Sequence, residues 1–260
     1  MSLTDHGVAV AAAQAGAAVV RAKFGSSLTR HAKAPGDFAT EADLAAEQAI
    51  LEVLRQSRPD DAVLGEETGG EIGERTWFVD PLCGTLNFAA ETTMASVNVA
   101  LRTGSGITAA ASADPFTGEI FWTDGDRALI RRDSEDRPAH PSAESRLVDL
   151  NLDPHPDSPE FSATALLASV AFNQRFRPRV LSTTLAVAWV GAGRRSAYLT
   201  AGDLRDSVHF AAGIAFCQAA GCVVTGIQGQ PLHTGVGGLL VAADEPTHSA
   251  LLELLNEVRP

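Results

Sequence analysis

The sequence predicts a layered α/β fold, in which sheets and helices share a large apolar core. Short apolar runs bounded by turn residues alternate with longer segments that have helical hydrophobic spacing, and this alternation is typical of α/β proteins. The chain has 260 residues, of which 45% are hydrophobic. It can therefore fill a substantial core as one large domain or two closely joined ones. No internal repeat indicates a solenoid or a propeller.

The first half of the chain is predicted to contain two helices followed by a run of strands. An alanine-rich helix runs from about Thr4 to Lys23, and a second helix follows Asp37, with apolar residues at helical spacing between Leu44 and Leu54. The predicted strands, which alternate with turns, are Asp61–Gly65, Thr76–Asp80, Ser96–Arg102, Ile107–Ala113, Glu119–Trp122 and Ala128–Arg132.

The second half is predicted to alternate strands with helices. It follows a polar stretch, Asp133 to Ser145, which is predicted to be an exposed loop and the boundary between two halves, residues 1–140 and 141–260. The predicted strands are Leu147–Leu152, Arg179–Ser182, Ser196–Thr200, Cys222–Thr225 and Leu239–Ala243, and the predicted helices are about Ser158–Phe172, Thr183–Ala192, Ser207–Ala220 and Pro246–Val258.

The charge and the cysteine content narrow the class of function and the compartment. A net charge of −12 argues against nucleic acid or an anionic membrane surface as a partner, because both require clusters of Lys and Arg. Three cysteines at unrelated spacings do not indicate a disulfide framework, and they fit a reducing cytoplasm. The apolar segment from Val8 to Val20 is interrupted by Gln14 and Gly16 and lacks a basic flank, so we expect neither a signal peptide nor a membrane span.

The stretch from Trp77 to Phe88 has the strongest chemical signal. Its apolar strand ends in Asp80, Pro81 is expected to stop the strand ladder, and Gly84-Thr85 is expected to begin a helix. A carboxylate, backbone carbonyls and amide donors would then converge at one point. Two more acidic segments lie upstream: Glu66 and Glu67 end a short strand, and Asp37 to Asp43 is expected to open a helix.

Together these segments resemble the inositol monophosphatase family, the lithium-sensitive sugar phosphatases, in its glycine-glutamate-glutamate and aspartate-proline-x-aspartate-glycine-threonine signatures. Three further segments are similar to the family's turn between central strands, its midpoint helix with the following strand, and its C-terminal helix: Ser112–Pro115 with Gly118-Glu119, Val190–Arg194 with Ala197-Tyr198, and Phe210–Gly213 with Ala219–Gly221. The resemblance implies a five-layer α-β-α-β-α sandwich of the fructose-1,6-bisphosphatase-like type, a homodimer, and Mg²⁺-dependent hydrolysis of phosphate monoesters.

The resemblance also implies roles for individual residues. Glu66, Asp80 and the Leu82 carbonyl would hold the first metal, an arrangement of oxygen ligands that suits Mg²⁺. Thr85 and Asp43 match the pair that orients the attacking water, Asp43 through a third and weaker metal. Gly84, Thr85 and Ser182 are predicted to contact the substrate, although Leu181 replaces the glycine that precedes this serine in the family. We interpret Thr40 as a helix cap, and Glu67 and Glu71 as a solvated acidic loop.

Two positions depart from the family pattern. The second metal is held in the family by the aspartate matching Asp80 and by aspartates at the positions of Cys83 and His209, so two hard ligands have become a thiol and an imidazole. One interpretation is that Cys83 is a small buried thiol that fills space and that His209 is structural. The other is that Asp80, Cys83 and His209 form a mixed ligand set for Zn²⁺ or Mn²⁺, or that His209 acts as a general base.

The sequence therefore favours a cytoplasmic phosphatase that acts on a small phosphorylated metabolite, such as an inositol or sugar phosphate, with one Mg²⁺ site and a weakened second site. The alternative is a non-catalytic or redirected member of the fold, which binds a phosphorylated ligand or a partner without turnover. Two altered ligands favour the alternative, and the retained Glu66, Asp80, Thr85 and Asp43 oppose it.

Overall fold

A computed structural model describes residues 3–26, 29–34, 37–104, 106–153, 157–158 and 161–259. The chain forms two compact units, and both are assembled from separate segments. The first contains the chain up to Pro138 together with Thr183–Leu185 and Asp206–Phe216; the second contains Ala139–Ser182, Ala186–Arg205 and the chain from Cys217 onward.

The first unit is built around an eight-stranded sheet. Its elements are α1 (Asp5–Lys23), β1 (Arg30–Ala34), β2 (Asp37–Thr40), α2 (Glu41–Ser57), β3 (Ala62–Gly65), β4 (Gly69–Gly70), β5 (Arg75–Cys83), α3 (Thr85–Ala89), β6 (Ser96–Thr103), β7 (Gly106–Ala113), β8 (Ile120–Thr123), β9 (Ala128–Arg132) and β10 (Glu135–Pro138). The strand order is β10-β9-β8-β7-β6-β5-β3-β4, in which only β3 and β5 run parallel. Strands β1 and β2 form a separate antiparallel hairpin.

The second unit contains a five-stranded sheet. Its elements are β11 (Leu147–Asn151), β12 (Asp157–Ser158), β13 (Phe161–Ser162), α4 (Ala163–Ala168), α5 (Val170–Arg175), β14 (Arg177–Val180), α6 (Leu185–Gly191), β15 (Ala197–Thr200), α7 (Ala211–Ala219), β16 (Val223–Thr225), β17 (Leu239–Ala242) and α8 (Glu245–Glu257), with α6 and α7 beginning in segments of the first unit. The order is β14-β11-β15-β17-β16, with β11 parallel to both of its neighbours.

Small residues let the helices of the first unit approach each other and the sheet closely. A Cβ atom at Gly16 of α1 would lie 2.7 Å from Cδ1 of Ile50 in α2, a distance that real Cβ contacts do not show. This face of the sheet buries Trp77 and Val79 against α1 and α2. On the other face, Phe78 packs with Ala212 of α7. Because side chains alternate along a strand, β5 is buried on both faces, which agrees with its continuous apolar run.

The predicted layered α/β class is confirmed, and most predicted elements are present with ends shifted by a few residues. Of the described helices, none combines the length and the apolar character that a membrane crossing requires. The second helix begins at Glu41, after Thr40 caps it, because Asp37–Thr40 is a strand paired with β1. The C-terminal helix predicted from Ser207 begins at Ala211.

Three predictions about local structure are wrong. Pro81 does not end its strand, since β5 continues to Cys83 after an irregularity in its pairing with β6. The loop predicted from Asp133 to Ser145 contains β10, which pairs with β9. The helix predicted from Ser158 to Phe172 is two short helices, because Ser169 has an extended backbone, with a ψ of 124°, and caps the second one.

Candidate active site

The chain turns sharply after Asp80, and the turn exposes backbone groups beside a buried carboxylate. Asp80 pairs with Asn98 of β6, and the pairing resumes only at Cys83 with Ser96. Two residues therefore bulge out of the ladder, and bulges commonly redirect the chain near active sites. Gly84 follows with a φ of 100°, a left-handed conformation that favours glycine. Helix α3 begins at the next residue, Thr85.

Asp43 and Thr85 are brought together although 42 positions separate them in the chain. The Thr85 hydroxyl lies 2.9 Å from Asp43 Oδ1 and 3.1 Å from the carbonyl oxygen of Leu82. The second oxygen of Asp43 accepts hydrogen bonds from the backbone N–H and the hydroxyl of Thr40, at 2.8 and 2.6 Å. Thr40 is thus the helix cap that the sequence predicts. Burial raises the pKa of Asp43, while the hydrogen bonds from Thr40 and Thr85 lower it.

Glu66 is held next to β5 by its backbone. Its N–H donates to the Val79 carbonyl at 2.9 Å, which places it alongside the residue that precedes Asp80. The following loop is fixed by Glu47, a fully buried acid in α2 whose carboxylate accepts the N–H groups of Glu67 and Thr68 at 2.9 and 2.8 Å. Sequence reasoning missed Glu47, which lies on the buried face of α2 together with Asp43.

Asp80, Cys83 and His209 form one cluster. Their potential ligand atoms all lie within 4.8 Å of one another. Nδ1 of His209 is 2.9 Å from Oδ2 of Asp80, and the Cys83 sulfur accepts the Thr184 N–H at 3.3 Å. His209 therefore lies beside Asp80, although 42% of its side chain is exposed and it precedes helix α7 by two residues.

The electrostatics of this cluster are dominated by Asp80. Burial lowers the pKa of His209, but the charge of Asp80, its hydrogen bond and the Cys83 thiol outweigh burial and raise this pKa to about 12. Burial and the charge of Asp80 raise the pKa of the Cys83 thiol, while His209 lowers it. Asp80 therefore influences both of the other potential ligands in this cluster, His209 and Cys83.

Asp80 contacts a network of buried, hydrogen-bonded polar side chains that was not predicted from the sequence. Asn98 Nδ2 lies 3.3 Å from Asp80 Oδ2 and donates to the Thr184 hydroxyl at 2.9 Å. The Ser112 hydroxyl donates to Asn98 Oδ1 at 2.7 Å, and Ser96 lies 3.2 Å from Thr184. Ser96, Asn98 and Ser112 are completely buried. The signal in the sequence is the alternation of polar residues with valine along β6, which predicts one polar face.

The carboxylate and carbonyl oxygens, the thiol and the imidazole of this site are suitable ligands for a cation. Asp43 and Asp80 are fully buried, and the groups that contact their oxygens in the described part of the chain are hydroxyls, N–H groups and one imidazole, with no lysine or arginine. Buried carboxylates need compensation by charge or hydrogen bonds. Carboxylate and carbonyl oxygens suit Mg²⁺, whereas the thiol and the imidazole suit Zn²⁺.

Ser182 differs from the other predicted site residues in the unit to which it belongs. It follows β14 in the second unit, and its hydroxyl donates to Asp153. The remaining predicted residues, from Asp43 to His209, all belong to the first unit. The role of Ser182 in substrate binding stays a prediction.

Comparison with known proteins identifies relatives of the whole chain. The sequence model of the inositol monophosphatase family matches residues 4–259. An inositol-1-monophosphatase of Caulobacter vibrioides is 33% identical over 233 residues, which cover 86% of this chain and 89% of the relative. A protein of Pasteurella multocida described as Nus factor SuhB is 27% identical, covering 88% and 85% of the two chains. The crystal structure of the extragenic suppressor protein suhB from Bartonella henselae is 26% identical, with a TM-score of 0.83 over 96% of this chain and 97% of that one.

Proposed function

This chain belongs to the inositol monophosphatase family, and we propose that it hydrolyses a small phosphate monoester with a divalent metal, at a site whose second metal position is altered. The observation that carries this proposal is the contact of the Thr85 hydroxyl with both the buried Asp43 carboxylate and the Leu82 carbonyl, immediately beyond Asp80. These groups are the parts that a water-activating site needs: a proton acceptor, an orienting hydroxyl and oxygen ligands for a cation.

Thr85 and Asp43 can orient water without forming a covalent intermediate. A hydroxyl that donates its proton to Asp43 presents its oxygen lone pairs as acceptors. Water that donates to this oxygen would be held in one orientation, and Asp43 is positioned to stabilise the proton that Thr85 shares. Hydrolysis forms a bond from the water oxygen to phosphorus and breaks the bond from phosphorus to the alcohol oxygen, and overall one proton passes from the water to that alcohol oxygen. Orientation of this kind contributes much of the rate of phosphoryl transfer.

Glu66, Asp80 and the Leu82 carbonyl would hold the first metal. When bound, such an ion neutralises charge on the phosphoryl oxygens and lowers the pKa of its water. Asp80, Cys83 and His209 would hold a second ion, which by ligand softness is Zn²⁺ before Mg²⁺. Gly84 and Thr85 are the proposed substrate contacts at the same turn, with Ser182 as a third.

The homodimer, the cytoplasmic location and the division into residues 1–140 and 141–260 also remain predictions.

A panel of inositol, sugar and nucleotide monophosphates tests this function, with Mg²⁺, Mn²⁺ and Zn²⁺ supplied separately. Phosphate release should require a metal, and Thr85→Ala and Asp43→Asn should each lower kcat by about 10²-fold. Glu71→Gln is the matched control, since Glu71 is an exposed acid near the same motif, and it should leave the rate unchanged. Equal rates in wild type and both site variants would exclude this site as the catalytic one.

A second candidate function is binding without turnover. The specific observation that favours it is the contact of His209 with Asp80, which occupies an oxygen that a second metal would use. One relative is described as a Nus factor, which gives this alternative a counterpart within the family. Metal-dependent binding of a phosphorylated ligand, without phosphate release over the whole panel, would favour this alternative over hydrolysis.

A further inference from the structure

Two cysteines occupy linked positions at the C-terminal end of α7. Gly221 has a φ of 86°, its N–H donates to the Gln218 carbonyl at 3.1 Å, and the Cys222 N–H donates to the Cys217 carbonyl at 3.0 Å. This pair of hydrogen bonds is the Schellman motif, in which the residue after the left-handed glycine contacts the residue five positions before it. Here both of these residues are cysteine, so the helix cap itself holds the two cysteine backbones one hydrogen bond apart.

The environments of the two thiols differ. Cys217 is fully buried, and its sulfur lies 3.1 Å from the Val187 carbonyl, whereas Cys222 is partly exposed. Burial, together with the neighbouring Cys222 thiol, raises the pKa of Cys217 well above its usual value. Cys222 is therefore the thiol that a reagent reaches first, and Cys217 is the thiol positioned to react second.

We propose that Cys217 and Cys222 form a reversible dithiol–disulfide pair, a modification site that does not involve Cys83. A disulfide requires Cα atoms about 4.4–6.8 Å apart and side chains that point toward each other. The hydrogen bond from the Cys222 N–H to the Cys217 carbonyl fixes the two backbones at close range, and in a Schellman motif the side chains at these two positions commonly contact each other. Oxidation would require side-chain rotation and the loss of one weak S–H bond to Val187.

A low-molecular-weight disulfide such as glutathione disulfide is a sufficient oxidant. The Cys222 thiolate attacks one glutathione sulfur and releases a glutathione thiolate, which gives a mixed disulfide. The Cys217 thiolate then attacks the Cys222 sulfur and displaces the second glutathione. The two cysteines lose two electrons and two protons, and one glutathione disulfide becomes two glutathione molecules. Because the pKa of Cys217 is raised, the second step should accelerate as pH rises.

Mass spectrometry of the full chain in glutathione redox buffers tests the pair. Oxidation should lower the mass by about 2 Da and remove two of the three thiols. After alkylation and trypsin digestion, the change should lie in the peptide of residues 206–260, which contains both cysteines, while the peptide of residues 76–102 retains an alkylated Cys83. Dithiothreitol should reverse the change, and the oxidised chain should have a Tm higher by about 5 °C.

Two variants separate this pair from other thiol chemistry. Cys83→Ser should still form the disulfide, and Cys222→Ser should not. The wild-type and Cys83→Ser measurements are decisive even if Cys222→Ser folds poorly. Glutathione retained on Cys222, a disulfide that includes Cys83, or two alkylated cysteines in the 206–260 peptide after equilibration with excess oxidant would each overturn the proposal. A lower Tm on oxidation would show that the reduced fold does not hold disulfide geometry, and would overturn it as well.

Discussion

Returning carboxylates to positions 83 and 209 should rebuild the second Mg²⁺ site. Cys83→Asp with His209→Asp places three carboxylates where the present ligand atoms lie within 4.8 Å of one another. At an effective dielectric constant of about 20, two unit charges at this distance repel by about 3 kcal/mol. Screening around the partly exposed position 209 lowers this value. The metal-free double variant should therefore be less stable than the wild type.

Mg²⁺ should reverse this loss of stability, because the ion replaces the repulsion with oxygen coordination. At a concentration of about 100 times Kd, binding adds about 2.7 kcal/mol, which corresponds to a Tm rise of roughly 5–10 °C for a chain of this size. Phosphate release should increase by about 10²-fold if the second ion supplies the usual charge stabilisation. Each single variant should gain little, since both residues serve one ion and their effects are not additive.

Calorimetric titration with Mg²⁺, thermal unfolding with and without Mg²⁺, and phosphate release form the assay. The matched control is Cys83→Asn with His209→Asn, which has similar shapes but lacks the added charges. Two tight Mg²⁺ sites in the wild type would contradict the weakened second site. A double aspartate variant that binds Mg²⁺ no better than the asparagine control would refute the reasoning. A variant that binds a second Mg²⁺ yet releases no phosphate would replace hydrolysis with the binding function.

The other expected outcomes concern zinc, the polar network and pH. Cys83→Ser should weaken Zn²⁺ binding by at least about tenfold in calorimetry, because a thiolate ligand is lost; unchanged affinity would identify Cys83 as a packing residue. Asn98→Ala should lower the free energy of unfolding in urea by roughly 3 kcal/mol, since buried partners lose their hydrogen bonds, against about 1 kcal/mol for Ser112→Ala. Burial raises the pKa of Asp149 to about 6 against the opposing charge of Arg195, so the folded state binds more protons than the unfolded state between about pH 4 and 6. Stability should then fall as pH rises through this window, by on the order of 3 kcal/mol, and Asp149→Asn should abolish that slope.

Sequence patterns predicted elements whose signals are local. The alanine-rich stretch that begins near Thr4 located α1, and the apolar run before Asp80 located β5. Strand β10 was missed because all four of its residues are polar or proline and exposed. An ion pair between Arg131 and Asp136, 2.6 Å apart across the hairpin, supports it instead of buried apolar area. Ser169 was missed because serine inside an apolar helical pattern gives only a weak signal for a break.

The candidate site was predictable only where a short motif contains its residues. Asp80, Cys83 and Thr85 lie within six consecutive positions, and the family resemblance related them to Asp43 and His209. The contact of Asn98 with Thr184 joins positions 86 apart in the chain, and neither belongs to a motif with recognised chemistry. Periodicity could indicate that Asn98 faces a polar side of β6, but not which hydroxyl would meet it there.

The hydrogen bonds of Asp80 limit how many metals this site can hold. A carboxylate has about four acceptor positions. Oδ1 of Asp80 accepts the Leu82 N–H at 3.2 Å, and Oδ2 lies 3.3 Å from Asn98 Nδ2 and 2.9 Å from His209 Nδ1. Three of the four acceptor positions of Asp80 are therefore occupied by hydrogen bonds, and one metal ion can bind at the fourth without breaking any of them. A second ion could bind Asp80 only by displacing His209. Alternatively, the second ion would bind the other ring nitrogen of His209 while Nδ1 keeps its contact with Asp80, which is the carboxylate–histidine–metal arrangement. In both cases binding of the second ion depends on residue 209, whereas binding of the first ion does not. We therefore expect the substitutions at 83 and 209 to change the number of bound metal ions and not the fold.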